Sequence, residues 1–218
     1  TPYTETRLWD DGDKPYLARM AEAVQAHGSL AAIELVHNAL SSANLYSREV
    51  PIGPMHRPVS SRYSPVQARA MDKSDIRDYR RWHRNTAIRA RDAGFNIVVV
   101  YSGHDGTMPT HFLSKRHNHR TDEYGGSLEN RLRLFRELIE ETKDAVGDTM
   151  GVVVRFAVDE MMGADGLECT GEGREAVEML AELPDMWDVN VSDWSNDSMT
   201  SRFAEEGYQE EFVGFVKQ

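Results

Sequence analysis

The chain has little cysteine, no long apolar run and no excess of basic charge. Its 218 residues include one cysteine, Cys169, which excludes an internal disulfide and an all-cysteine metal site within this sequence. No apolar run approaches the roughly 20 residues that span a bilayer. The formal net charge of -11 leaves no basic face for a nucleic acid. We therefore expect no membrane and no nucleic acid among the partners, and the reducing cytoplasm as the compartment.

Common sequence signals are missing as well. No GxGxxG follows a predicted strand and no GxxxxGK[ST] occurs, so neither a dinucleotide-binding Rossmann unit nor a P-loop is supported. No basic and then apolar segment typical of a secretory signal opens the chain. The sequence begins on Thr1-Pro2 without methionine, and we expect it to be part of a longer protein.

What the sequence does contain is an alternation of apolar runs and amphipathic segments. The predicted strands cover residues 31–37, 97–100, 150–158 and 186–191. The predicted helices cover residues 13–27, 74–92 with Ser74 as N-cap, 127–147 with Ser127 as N-cap, 172–183, and a short segment from about residue 209. This order implies a parallel sheet with right-handed crossovers. Four strands are half of a (β/α)8 barrel, so the predicted fold class is α/β, a partial TIM barrel of about four central βα units.

Residues 38–72 show no clear helix or strand and contain four prolines. A connection this long in a compact domain is usually functional or disordered. We expect an ordered excursion over the mouth of the barrel.

Polar side chains lie at or near the end of each predicted strand, where the barrel architecture gathers them at one mouth. They are Glu34 and His37, Tyr101 and His104, Arg155, and Asp193, Trp194 and Asp197. A tyrosine and a histidine three residues apart can share a proton, and a carboxylate can orient the imidazole. A buried arginine suits an electron-rich ring with developing negative charge, and a tryptophan attracts ammonium groups. The residues alone thus favour an organic cofactor with a cationic or polar substrate. Two alternatives stay open, with Tyr101 and His104 as ordinary loop residues and Glu34 as an edge residue.

One long motif adds to this interpretation. The segment from His111-Phe112-Leu113-Ser114 to Asn118-His119-Arg120-Thr121-Asp122-Glu123-Tyr124-Gly125-Gly126-Ser127-Leu128-Glu129-Asn130-Arg131 resembles the signature of the old yellow enzyme family of FMN-dependent oxidoreductases. That signature reads F-L-S-P…N-x-R-T-D-x-Y-G-G-S-x-E-N-R, and Lys115 departs from its proline. The resemblance implies that residues 1–218 are part of one FMN-binding barrel domain, from the second to the fifth strand, with the first and the closing strands absent.

Within that family the chain resembles the amine dehydrogenase branch. Tyr101-Ser102-Gly103-His104 stands where enone reductases carry His-x-x-His or His-x-x-Asn, and Asp197 precedes Ser201-Arg202-Phe203 by four residues. The branch includes trimethylamine, dimethylamine and histamine dehydrogenases and demethylases of the dimethylglycine and N-methylproline type. By this resemblance Tyr101, His104 and Asp197 are catalytic, Trp194 walls the amine, and Glu34 and Arg155 contact the flavin.

The resemblance implies oxidation of a methylated or other small amine through an iminium, which is oxidative demethylation or deamination. An NAD(P)H-dependent flavin ene-reductase is the alternative. A metal-dependent barrel hydrolase is the third hypothesis, but its histidines have a spacing unlike a zinc site, so no metal ligand is assigned. These histidines are His37, His104, His111, His117 and His119.

The resemblance also implies features of the parent protein that these residues do not contain. A 4Fe-4S cluster is expected outside them, with an electron-transfer flavoprotein as possible acceptor and a homo-oligomer as possible assembly. The isolated fragment is expected to be inactive, because half a barrel exposes unpaired strand edges.

Overall fold

The computed structural model describes residues 6–44, 46–59, 66–197 and 202–217. The helices in this part of the chain are α1 (Lys14–Gln25), α2 (Lys73–Asp92), α3 (Met108–Leu113), α4 (Leu128–Val146), α5 (Glu172–Leu180) and α6 (Glu210–Val213). The strands are β1 (Ala32–Leu35), β2 (Ile52–Gly53), β3 (Arg57–Pro58), β4 (Gln67–Ala70), β5 (Ile97–Ser102), β6 (Gly151–Asp159) and β7 (Met186–Val191). None of the helices in the described ranges is long and apolar enough to cross a bilayer.

The main sheet consists of four parallel strands in the order β1-β5-β6-β7. Each of these strands matches one of the four predicted strands, so the predicted α/β fold class is confirmed. Alternate side chains of β5 and β6, such as Val98, Val100 and Val154, are fully buried against the helices. The helix-covered face therefore holds the core, and the residues between them lie on the opposite face.

That opposite face carries most of the polar residues of the strands, and we call it the open face. It is formed by Glu34 of β1, Val99 and Tyr101 of β5, Arg155 of β6, and Asp188 and Asn190 of β7. Arg155 lies in the middle of β6 and its side chain is 38% exposed, so the expectation of a buried residue at a strand end is wrong. The observed strand is as long as the predicted one, and it continues past Arg155 to Asp159.

Of the two predicted helix N-caps, the structure has one and replaces the other. The Ser127 hydroxyl accepts from the Asn130 amide at 3.3 Å, as expected of an N-cap. At α2 the N-cap is Asp72 rather than Ser74. Asp72 and Asp75 each accept a backbone N–H from the other at 2.8 Å, and this reciprocal pair starts the helix two residues earlier.

The excursion between β1 and α2 contains a second sheet that the sequence did not indicate. Its order is β2-β4-β3, with β2 parallel and β3 antiparallel to β4. Strands of two residues are too short to show a period of two, which is why the prediction of no strand here is wrong. Helix α3 coincides with none of the predicted helices or strands, and all six of its residues are buried.

Candidate active site

The ends of β5 and β7 bring two of the predicted side chains together. Tyr101 is the last open-face residue of β5, and its hydroxyl is hydrogen-bonded to Nδ1 of His104. The chain between them turns sharply, since His104 has a positive φ of 56°. His104 then forms an isolated parallel bridge with Asp193, which follows β7. The turn therefore directs the imidazole toward the segment that carries Asp197.

Three residues of β7 and the segment after it surround the far side of this imidazole. Nε2 of His104 lies 3.6 Å from Oδ1 of Asp197 and 3.1 Å from Nδ2 of Asn190. The Trp194 ring meets the His104 ring edge to face, with centroids 5.9 Å apart. Phenol, imidazole, carboxylate and indole thus form one cluster, as the sequence led us to expect, and Trp194 is its exposed side at 76%.

The electrostatics of the cluster favour neutral groups. Burial raises the pKa of the Tyr101 phenol, and the nearby carboxylate of Glu34 adds to this. Burial lowers the pKa of His104, although the carboxylate of Asp197 opposes the shift. Near pH 7 the pair is thus a neutral phenol beside a neutral imidazole. Such a pair can take a proton from a bound group, because the imidazolium that would form faces the Asp197 carboxylate.

Below this cluster Arg155 lies between two carboxylates. Its Nη1 is 3.3 Å from Oε2 of Glu34, and its Nε is 3.5 Å from Oδ2 of Asp188. The guanidinium carbon lies 5.5 Å from the centroid of the Tyr101 ring. Burial raises the pKa of Glu34, and the charge on Arg155 opposes that shift. The two predicted cofactor residues are thus paired with each other and adjoin the catalytic candidates.

The donor set at Arg155 and Glu34 fits the pyrimidine edge of a flavin. That edge offers acceptors and an N–H, which suit a guanidinium and a carboxylate respectively. Nε of Arg155 is buried, and although it lies 3.5 Å from the Asp188 carboxylate it makes no hydrogen bond within the described residues. A buried polar atom without a partner is costly, and an acceptor bound at this position would relieve that cost. The residues present are therefore compatible with FMN.

Asn190 is a site residue that our sequence reasoning missed. It follows Asp188 by two positions in β7 and so shares the open face. Its Nδ2 contacts His104, whereas its buried Oδ1 has no partner among the described residues. Strand alternation from Asp188 is the signal that would have placed it beside the mouth of the sheet.

The signature segment lies outside this cluster and makes structural contacts. The Asn118 amide donates to the carbonyls of Phe112 and Tyr124. Arg131 is 2% exposed, and it donates to the Leu113 carbonyl and, at 2.7 Å, to Glu172. The motif therefore holds α3 and the loop before α4 against the sheet.

Two histidines from the hydrolase hypothesis do come together. His111, His117 and Asp105 place one candidate ligand atom each within 4.8 Å of one another. His37, His104 and His119 are not part of that group. The group borders His104 through Asp105, the next residue in the chain.

Comparison with known proteins supports the sequence resemblance. The profile of the NADH:flavin oxidoreductase / NADH oxidase family matches residues 3–218. Dimethylamine dehydrogenase of Hyphomicrobium sp. (strain x) is 33% identical over 97% of this chain and 30% of its own length. An NADPH dehydrogenase of Bacillus licheniformis is 32% identical over 82% of this chain and 51% of its own length. The chain therefore spans about a third to a half of these relatives.

Two solved structures are similar along the whole chain. The 6-hydroxypseudooxynicotine amine oxidase of Pseudomonas geniculata N1 superposes with a TM-score of 0.95 at 48% identity, covering 100% of this chain and 32% of that one. Histamine dehydrogenase from Rhizobium sp. 4-9 superposes with a TM-score of 0.92 at 47% identity, again covering 100% of this chain and 32% of that one. An old yellow enzyme homologue from Zymomonas mobilis superposes with a TM-score of 0.74 at 23% identity, covering 84% of this chain and 53% of that one. At this identity the similarity supports the fold alone. The partial TIM barrel expected from the sequence agrees with these neighbours.

Proposed function

The chain belongs to the NADH:flavin oxidoreductase / NADH oxidase family, and from that premise we propose that it is the substrate-binding part of an FMN-dependent amine dehydrogenase. The parent enzyme would oxidise a methylated or other small amine. In this proposal residues 1–218 supply the second to the fifth strand of the barrel. The observation that carries the proposal is the contact of Tyr101, His104 and Asp197 at the end of the open face.

The kind of substrate follows from the chemistry around that contact. Carboxylates predominate on the open face, where Glu34 and Asp188 flank a single Arg155, and Asp197 lies beyond His104. The exposed face of Trp194 can attract an alkylammonium ion by cation–π interaction. A cationic or protonated amine suits this combination better than an anionic or purely apolar substrate. Amine-oxidising proteins also feature among the similar proteins at 33 to 48% identity.

Each predicted residue has a defined task in the proposed reaction. Glu34 and Arg155 would hold FMN, which supplies an acceptor for a hydride equivalent from the carbon next to the substrate nitrogen. Trp194 would bind the alkylated nitrogen, and Tyr101 would position it by hydrogen bonding. His104 would take the ammonium proton through Tyr101, with Asp197 stabilising the imidazolium that forms. The amine leaves this site as an iminium, which water hydrolyses.

The test is an anaerobic titration of the complete protein. A panel of primary, secondary and tertiary methylated amines is added, and bleaching of the oxidised flavin absorbance is followed. We expect at least one amine to reduce the flavin in the absence of nicotinamide cofactors. If no amine bleaches the flavin while NADPH does, the proposal is wrong.

An NAD(P)H-dependent ene-reductase is the second candidate. The similarity to the Bacillus licheniformis NADPH dehydrogenase favours it. The Tyr101 hydroxyl argues against it, because the resemblance places a histidine there in enone reductases. In the same titration this candidate requires that NADPH reduce the flavin and that an enone reoxidise it rapidly.

The remaining features of the parent protein are part of this proposal. They are a 4Fe-4S cluster outside these residues, an electron-transfer flavoprotein as acceptor, a homo-oligomeric assembly and a cytoplasmic location. The experiments below therefore use the complete protein, since the isolated segment leaves both edges of its main sheet without partner strands among the described residues.

A further inference from the structure

We propose that Asp105, His111 and His117 form a hydrogen-bonded clamp that positions His104 in the active site. The inference rests on the proposed function, and it assigns the three residues as positioning residues rather than as metal ligands. Asp105 is hydrogen-bonded to His111 through its carbonyl and to His117 through its carboxylate. Asp105 also directly follows His104 in the chain, so the two residues share a peptide bond.

The clamp is needed because the turn at His104 is strained. His104 and Asp105 are consecutive non-glycine residues with φ of 56° and 47°. Histidine and aspartate adopt left-handed backbone more readily than most L-residues, but usually as single residues, so two in succession point to surrounding contacts that hold them. A relaxed turn would rotate the imidazole away from both Tyr101 and Asp197. Contacts that fix Asp105 therefore also fix the direction of His104.

Asp105 is fixed through both its backbone and its side chain. Its carbonyl accepts from Oγ of Ser41 at 3.0 Å and lies 3.0 Å from Nε2 of His111. Its carboxylate lies 2.7 Å from Nε2 of His117 and 3.6 Å from the Arg116 guanidinium. Two buried imidazoles, 1% and 5% exposed, thus converge on one residue.

The donors that face Nδ1 of each ring indicate that Nε2 is the nitrogen that carries a proton. The Leu40 amide donates to Nδ1 of His111 at 3.2 Å, so the proton of that neutral ring is on Nε2 and is donated to Asp105. A guanidinium nitrogen of Arg57 lies 2.5 Å from Nδ1 of His117, which imposes the same tautomer. In this arrangement all four ring nitrogens have hydrogen-bond partners.

The same tautomers argue against a metal centre at these residues. A histidine binds a metal through an unprotonated nitrogen, whereas both Nε2 atoms that face Asp105 carry protons here. An ion could bind only if the contacts from Leu40 and Arg57 were lost. The short distances within the group are therefore explained by hydrogen bonds between a carboxylate and two N–H donors.

The clamp also gives the long excursion a role. Arg57 belongs to β3 of the small sheet, and Leu40 and Ser41 follow β1. Through these residues the excursion is bound to the turn that carries His104. The small sheet is thus a support for the active site.

The test compares two substitutions of Asp105 in the complete FMN-containing protein. Asp105→Gly removes the carboxylate contacts to His117 and Arg116 and keeps the carbonyl contacts to Ser41 and His111. It also removes the backbone strain at this position, because glycine tolerates positive φ. Asp105→Asn keeps an acceptor for His117, and asparagine is among the residues that adopt this conformation most readily. The first variant loses the side-chain part of the clamp, and the second, which keeps it, is the matched control.

Two measurements are made on each variant. Hydrogen–deuterium exchange measures the amide exchange rate in peptides that cover residues 103–107. We expect this rate to be about ten-fold faster in Asp105→Gly and near the wild-type rate in Asp105→Asn. Rapid mixing with a reactive amine reports the limiting rate of flavin reduction. We expect this rate to fall about ten-fold or more in Asp105→Gly and less than about three-fold in Asp105→Asn, with FMN content and melting temperature retained.

Two results would overturn the clamp. One is wild-type exchange and wild-type reduction in Asp105→Gly, because the turn would then hold its shape without the contacts of the Asp105 carboxylate. The other is one tightly bound zinc ion per chain that is lost in both variants. If no amine reduces the wild-type flavin, the proposed function is wrong, but the exchange measurement still decides whether the clamp exists.

Discussion

Replacing Tyr101 by phenylalanine tests the proposed chemistry with the smallest change that the site allows. Tyr101→Phe keeps the ring that lies 5.5 Å from the Arg155 guanidinium and removes only the hydroxyl. The lost oxygen is the partner of Nδ1 of His104, whose side chain is 10% exposed. The substitution therefore leaves a nearly buried nitrogen without its partner and removes the group proposed to contact the amine.

The expected magnitude follows from that single contact. Leaving a buried polar group unsatisfied costs about 1–3 kcal/mol. Since about 1.4 kcal/mol corresponds to a factor of ten in rate, the loss of positioning alone slows the reaction by about 5- to 150-fold. A direct role of the phenol in proton transfer would add a further factor of about 100 or more. We therefore expect flavin reduction to be at least about five-fold slower, with FMN still bound.

The assay is anaerobic stopped-flow reduction of the flavin by the best amine substrate. Tyr16→Phe is the matched control, because Tyr16 lies on α1 and is 70% exposed. The control should reduce at the wild-type rate. An unchanged rate in Tyr101→Phe would refute the reasoning and remove this residue from the mechanism.

Three further outcomes follow from the structure. Trp194→Ala should weaken binding of an alkylammonium ion by about 2- to 30-fold while Trp194→Phe retains most of it, measured by flavin difference titration. Gly103→Ala should slow flavin reduction with little loss of stability, since a Cβ there would lie 3.0 Å from the Tyr101 ring. Burial lowers the pKa of His83 to about 4, so the unfolded chain binds more protons between about pH 4 and 6.5, and stability falls as the pH drops through that window. Urea midpoints at pH 7 and pH 5 should therefore differ less in His83→Gln than in the wild type.

The sequence was a good guide where a signal extends over several residues. All four strands of the main sheet were predicted from apolar runs of four to nine residues, and Ser127 was recognised as an N-cap from the helix that follows it. The contact of Tyr101, His104 and Asp197 was also expected, because the ends of parallel strands meet at one edge of a sheet. Their catalytic roles remain predictions.

The sequence was a poor guide where a structure depends on distant partners. The two-residue strands β2 and β3 exist only through their pairing with β4, and a segment of two residues has no detectable period. Helix α3 has no exposed face, so it lacks the amphipathic pattern by which helices are recognised. Asn190 was missed because its significance comes from His104, which lies 86 positions away in the chain.

The long signature motif shows a related limit. Its Asn118 and Arg131 make backbone contacts and an ion pair that hold the scaffold, and neither contacts the cluster around His104. A motif of this kind identifies the family reliably because the fold depends on it. The substrate class has to be derived from the strand ends instead.

The pairing of Arg155 with two carboxylates affects how fast a charged molecule reaches the site. The two carboxylates of Glu34 and Asp188 outnumber the single positive charge of Arg155 that lies between them. Asp197 adds a third carboxylate nearby. The resulting field attracts cations from solution and repels anions. Capture of an ammonium ion should then slow as added salt shortens the Debye length, which is about 8 Å at physiological ionic strength, whereas the encounter with a neutral molecule should hardly respond.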